Sequence, residues 1–195
     1  MRKSPRQARS REMVERIVAA GREVLVTDGY DAFSTNRVAA AAGVSPGSLY
    51  QYFPDKLAIL DVVVDRYTEE TSERVAAALA DRMAGGPQVV RDVVDALLSA
   101  LEADPALLRV VAEELPQVRS RPRREALERR VSELVSTYLL ARPEHSRRPT
   151  PTVSAWVSVL AIENLAVRWV LDQPAITRDQ LLDELVALVG GYLLS

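Results

Sequence analysis

Three features of this 195-residue sequence predict an all-helical fold. Apolar residues return at spacings of three and four along almost the whole chain, the period of a helix with one buried face. No run of alternating β-branched residues is bounded by turn signals, so nothing reads as a strand. Glycine and proline then divide the chain into nine segments of helical length.

The first helix is expected over about residues 10–28, where Val14, Ile17, Gly21, Val24 and Leu25 share a face and Gly29 supplies the stop. Ser34 is placed to cap a short second helix running to Ala42. Gly43, Val44 and Ser45 form a tight turn, and Pro46 opens a third helix because a first-position proline forfeits no hydrogen bond. That helix is expected to reach Phe53, with Pro54 ending it. A long fourth helix runs from Asp55 to about Met83, where Gly85, Gly86 and Pro87 break it, and a fifth spans about 88–103. Asp104 followed by Pro105 opens a sixth that stops near Pro116. A seventh begins beyond Ser120 and Pro122 and ends near Arg142. The segment 143–151 carries three prolines and reads as a surface loop. Two apolar helices follow, about 152–172 and 178–194, the second opened by the capping box of Thr177 and Gln180.

The net charge of −2 hides a division along the chain. Residues 1–60 hold nine basic and six acidic side chains, for +3, and the remainder holds sixteen against twenty-one, for −5. Arg2, Lys3, Arg6, Arg9 and Arg11 stand at the start with no acid among them. Such a run suits a flexible arm over residues 1–11 lying near phosphates, with a solvated tail as the alternative. The absence of cysteine removes disulfides, thiolate nucleophiles and Cys-based zinc sites, and fits a reducing compartment. No stretch of roughly 18 consecutive apolar residues and no signal-peptide segment is found, so a cytoplasmic location is expected. The single histidine, His145, falls in the proline-rich loop, and no HExxH or glycine-rich phosphate loop is present. Glu113 and Glu114 are adjacent, and neighbours on a helix point about 100° apart, so they do not converge as an acid–base pair. No catalytic residue, metal site or cofactor is expected.

Three short helices before a long one, with a three-residue turn between the second and third, is the organisation of a helix-turn-helix unit. At about 100° per residue, Leu49 and Phe53 point inward together while Gly47 and Gln51 face away, with Ser48 and Tyr50 on the flanks. A small, polar outer face is what a helix entering a major groove needs. Ala39 and Ala42 let the two helices cross closely.

The run from Ser34 to Lys56, STNRVAAAAGVSPGSLYQYFPDK, resembles the signature of TetR-family regulators, and Ile17, Ala20 and Gly29-Tyr30 also stand where that family places them. The resemblance covers roughly the first third of the chain. It implies a DNA-binding domain over residues 1–54 and a ligand-binding and dimerisation domain over 55–195. It implies that Ser34, Thr35, Asn36, Ser45, Pro46, Gly47, Ser48, Tyr50, Gln51, Tyr52 and Lys56 line the DNA face. Of these, Tyr50, Tyr52 and Lys56 would bond phosphates and fix the register, and Asn36, Pro46, Gly47, Ser48 and Gln51 would meet base edges. The implied function is a repressor released from double-stranded operator DNA by a small-molecule effector. A transcriptional activator or a ligand-independent DNA-binding protein remains as the alternative.

In the last two helices Trp156, Leu160, Leu165, Trp169, Leu181, Leu182, Leu185, Leu188, Val189 and Tyr192 offer more apolar surface than one small domain needs. A homodimer through these helices is expected, as in TetR-like proteins. Glu163 and Asn164, with Tyr67, Tyr138 and Trp156, are the candidate ligand contacts, the polar ones having helical pairing or a partner face as the alternative.

Overall fold

The computed structural model describes residues 5–81, 87–115, 117–141 and 148–193. Among these residues the architecture is all-α, with nine α-helices and one π-helical turn. The helices are α1 (Pro5–Ala32), α2 (Thr35–Ala41), α3 (Pro46–Tyr50), α4 (Lys56–Asp81), α5 (Pro87–Glu102), α6 (Pro105–Arg109), α7 (Gln117–Leu140), α8 (Pro151–Asp172) and α9 (Arg178–Leu193). The π turn, Val110–Glu114, continues α6.

Two compact units result, one of Met1–Tyr67 with Arg109–Ser120 and one of Thr68–Leu108 with Arg121–Ser195. In the first, α1 packs on α2 and on the π turn, and Ile17, Leu25, Phe33, Val38, Leu49, Ile59 and Leu60 are almost wholly excluded from water. Gly21 is required there, because a methyl group at its Cβ position would lie 2.8 Å from Ile59 Cγ2. In the second unit α5 packs on α8 and α9 around Val94, Leu98, Leu139, Ala155, Ala166 and Leu185. Arg178 fastens the start of α9 to α5, donating to Asp95 at 2.7 Å, Glu102 at 3.0 Å and Ser99 at 2.9 Å. These carboxylates raise the Arg178 pKa further above its ordinary value, the bond to Asp95 acting most strongly.

Several boundaries differ from those expected. Helix α1 begins at Pro5, so residues 5–11 are helical where a flexible arm was expected, and residues 1–4 lie outside the described residues. A proline in the first turn is compatible with a helix start, and the residues after it are good helix formers. Gly29, with φ +77°, interrupts α1 where the stop was placed, and a single turn to Ala32 follows. Helix α3 ends at Tyr50, and Phe53 lies in the turn beyond. Helix α7 starts at Gln117 and carries Pro122 inside it. A proline removes one backbone bond without forbidding the helix on both sides, so it was a misleading start signal. The breaker Gly85-Gly86 and most of the proline-rich loop, with His145, lie outside the described residues. The capping box of α9 forms, with Thr177 N–H donating to Gln180 Oε1 at 2.9 Å and Gln180 N–H to Thr177 Oγ1 at 3.2 Å.

Candidate nucleic-acid interface and ligand cavity

The second and third helices owe their starts to side-chain caps. Ser34 Oγ accepts from Arg37 N–H at 3.3 Å, and Ser45 Oγ accepts from Ser48 N–H at 3.1 Å. Gly43 takes φ +65° in the turn between them, a conformation that a side chain would strain. Val38, Ala39, Ala42, Leu49 and Phe53 close the core beneath, so these short helices are held by packing more than by propensity.

What this leaves outside is a small polar face. Asn36, Ser45, Pro46, Gly47, Tyr50 and Gln51 are exposed, and Ser34, Thr35, Ser48, Tyr52 and Lys56 are half-buried. Gly47 has no atom closer to its Cβ position than Ser45 Oγ at 4.0 Å, so the backbone there is open to close approach. Thr35 Oγ1 and Tyr50 Oη lie 3.1 Å apart, linking the start of α2 to the end of α3. Ser45 and Ser48 share a further hydroxyl bond of 2.9 Å, which commits part of their hydrogen-bonding capacity to the cap.

Lys56 differs from the sequence reading in its surroundings. Its Nζ donates to the Phe33 carbonyl at 3.1 Å and stands 5.5 Å from the centroid of the Tyr30 ring. One of three donors is thereby engaged, and two remain for an anion. Its place at the start of α4, where the helix dipole does not favour a cation, is explained by that carbonyl, 23 residues earlier in the chain. Arg37, which the sequence reading did not single out, is exposed beside Asn36, with its guanidinium 2.5 Å from Asp28. Glu114, read in the sequence only as half of an acidic pair that does not converge, has a contact of its own. From the π turn its carboxylate accepts the Tyr30 N–H at 2.9 Å, just after the break at Gly29.

The second unit holds a cavity of about 90 Å³ that is partly open to solvent. Val75, Val89, Val93, Leu97, Ile162 and Val189 are among the apolar residues of its wall, and its polar side chains are Glu128, Tyr138, Ser158 and Glu163. Of the candidate ligand contacts, Tyr138 and Glu163 line this cavity. Trp156 instead lines an adjacent open groove with Thr152 and Glu128 and is 54% exposed. Asn164 is exposed, and Tyr67 is half-buried in the first unit. Burial holds the Glu163 carboxyl up to a pKa of about 7; the Glu128 carboxylate, to which it is hydrogen-bonded, adds to the rise and Arg124 opposes it.

The expected dimer residues divide into three sets, of which Leu160, Trp169 and Tyr192 are half-buried. Leu181, Leu182, Leu185 and Val189 are buried within their own unit. Trp156, Leu165 and Leu188 are exposed, as are Val153 and Val157 on the same helix as Trp156. Helix α8 is thus apolar on two faces, and it alone among the described helices has the length and hydropathy of a membrane span, its mean hydropathy reaching 1.3.

Residues 17–63 match the family model described as bacterial regulatory proteins, tetR family. Residues 87–193, more than half of the chain, match that of the tetracyclin repressor-like C-terminal domain. An uncharacterized HTH-type transcriptional regulator of Mycobacterium tuberculosis is 26% identical over 159 residues, covering 80% of this chain. The match spans 66% of that relative's length, just under two thirds. Among solved structures, the fatty acid degradation regulator FadR of Bacillus halodurans superposes with a TM-score of 0.71 at 18% identity, covering 98% of this chain and 97% of its own. NalD, the secondary repressor of the MexAB-OprM multidrug efflux pump in Pseudomonas aeruginosa, gives 0.67 at 19% identity, covering 95% and 97%.

Proposed function

The chain belongs to the tetR family of bacterial regulatory proteins, and from that premise we propose that it is a DNA-binding transcriptional repressor, released from its operator by a small molecule. The observation that carries the DNA-binding half is the outer face of α3. Pro46, Gly47 and Gln51 stand exposed over a buried Leu49, so base edges can approach the helix backbone with nothing bulky between. Tyr50, Tyr52 and Lys56 flank it as phosphate contacts that position without reading sequence. A regulator of this kind works where the chromosome is, in the cytoplasm, and performs no catalysis.

The cavity of the second unit supports the effector half, since it combines an apolar wall with few polar groups. FadR and NalD, whose names are those of a regulator and a repressor, agree with the regulatory reading. Helix α4 starts in the first unit and ends in the second, α6 with its π turn does the reverse, and α7 crosses again after Ser120, which makes these three the covalent routes for a signal. Within the first unit that π turn sets Glu114 on the Tyr30 N–H. An effector changes operator affinity only by its differential affinity for two states, and a coupling of about 1 to 3 kcal/mol corresponds to roughly 5- to 150-fold.

Dimerisation completes the reading. Val153, Trp156, Val157 and Leu165 on α8 with Leu188 on α9 leave an apolar surface that a second copy covers, and the operator is then a near palindrome. The test is titration of purified protein onto labelled DNA from upstream of its own gene at several salt concentrations. Binding that weakens steeply with salt and survives excess unrelated DNA is expected; binding that unrelated DNA abolishes would refute the repressor reading.

A further inference from the structure

The acidic groups of the cavity are out of balance with its bases. Glu128 and Glu163 both line it, and among the described residues Arg124, 3.3 Å from Glu128, supplies one guanidinium for two carboxyls. Tyr138 is the remaining titratable group on the wall, and α4, α5 and α9 contribute only apolar residues to it. Burial and the Glu128 charge together hold Glu163 near a pKa of 7, so at neutral pH the second carboxyl carries a proton about half of the time. A second observation is independent of the carboxyls. Ser158, 3% exposed on the same wall, has a hydroxyl with no hydrogen-bond partner among the described residues. Orphaned buried hydroxyls are costly, and one set in a cavity wall is satisfied by whatever fills the cavity.

We propose that the cavity selects a lipophilic amine, a molecule whose apolar body lies on the valine and leucine wall and whose ammonium group replaces the proton between Glu163 and Glu128. The ammonium supplies the missing positive charge and carries N–H donors, which Glu163 and Ser158 can both accept. A fatty acid would bring a third carboxylate beside two, and a neutral ligand leaves the proton where it is. The inference rests on the cavity being the effector site, and its test separates the two.

Decylammonium, decanol and decanoate carry the same chain with three head-group charges, and their affinities for the dimer at pH 7 are measured by calorimetry. The cation should bind at least tenfold more tightly than the alcohol, and decanoate most weakly. About half a proton should leave per bound cation, because Glu163 is about half protonated at that pH, and repeating the titration in buffers of different ionisation enthalpy reads it. Glu163→Gln should reduce the ratio of cation to alcohol affinity to near one, and Ser158→Ala should weaken the cation severalfold. Equal binding of the three wild-type ligands, or tightest binding of decanoate, overturns the proposal without recourse to a variant. If decylammonium binds with the expected preference but operator affinity is unchanged, the selectivity stands and the effector role falls. Release of the operator by decanoate alone would keep the effector role and overturn the amine.

Discussion

Gln51 and Lys56 show where a sequence reading of single residues succeeds and where it stops. The outward direction of Gln51 follows from local geometry, since it caps α3 in a helical backbone conformation two residues after the buried Leu49. Lys56 is governed by a carbonyl 23 residues earlier, which no periodicity reveals. Glu163 was visible as a polar residue in an apolar helix, but its partner Glu128 belongs to α7 and gave no signal of its own. The pair has a consequence for stability. Because burial and Glu128 raise Glu163 to about 7 in the folded protein, the folded state holds the extra proton between its ordinary value of 4.5 and that value. The contribution of Glu163 to stability therefore falls as pH rises from about 4.5 to about 7 and levels off above. Urea midpoints across this range should decline in the wild type and decline less in Glu163→Gln. Parallel declines in the two proteins would show that another group is responsible.

At the scale of elements, caps were more legible than ends. Ser34, Asp104 and the Thr177–Gln180 box cap as their sequence contexts indicate, because each cap is a bond across three residues. The limits of α3 and α7 were misread because tertiary packing and good helix formers outweigh a single proline or an apolar terminus. The π turn had no signature at all, and it is what brings Glu114 to Tyr30. Close packing of α1 on α4 gives the sharpest prediction at this scale. Gly21→Ala puts a methyl group 2.8 Å from Ile59 Cγ2, closer than two methyl groups approach, so the Ile59 side chain or the helix must shift. The expected loss is about 1 to 3 kcal/mol by chemical denaturation, although alanine alone would favour the helix. An equally stable or more stable variant would show that this contact relaxes at no cost.

For the whole molecule, the sequence made the excess of apolar surface in α8 and α9 visible but did not say which residues a protomer uses for itself. Leu185 and Val189 fill its own core, while Leu165 and Leu188 stand 43% and 55% exposed. Substituting Leu165 and Leu188 together by glutamate should convert the dimer to monomer in sedimentation, with helical content retained. The same change at Leu185 and Val189 should unfold the chain. A double variant at the exposed pair that remains dimeric would move the interface elsewhere.

The central claim for the whole molecule, that α3 reads DNA while its flanks only hold it, is tested most directly by equilibrium binding of three proteins to operator and scrambled DNA over a range of salt. Gln51→Ala should lose about 1 to 3 kcal/mol on the operator and little on scrambled DNA, with the salt dependence preserved. Lys56→Ala should weaken both DNAs alike and reduce the salt slope by about 1 per protomer. Wild-type affinity and preference in Gln51→Ala would contradict the claim.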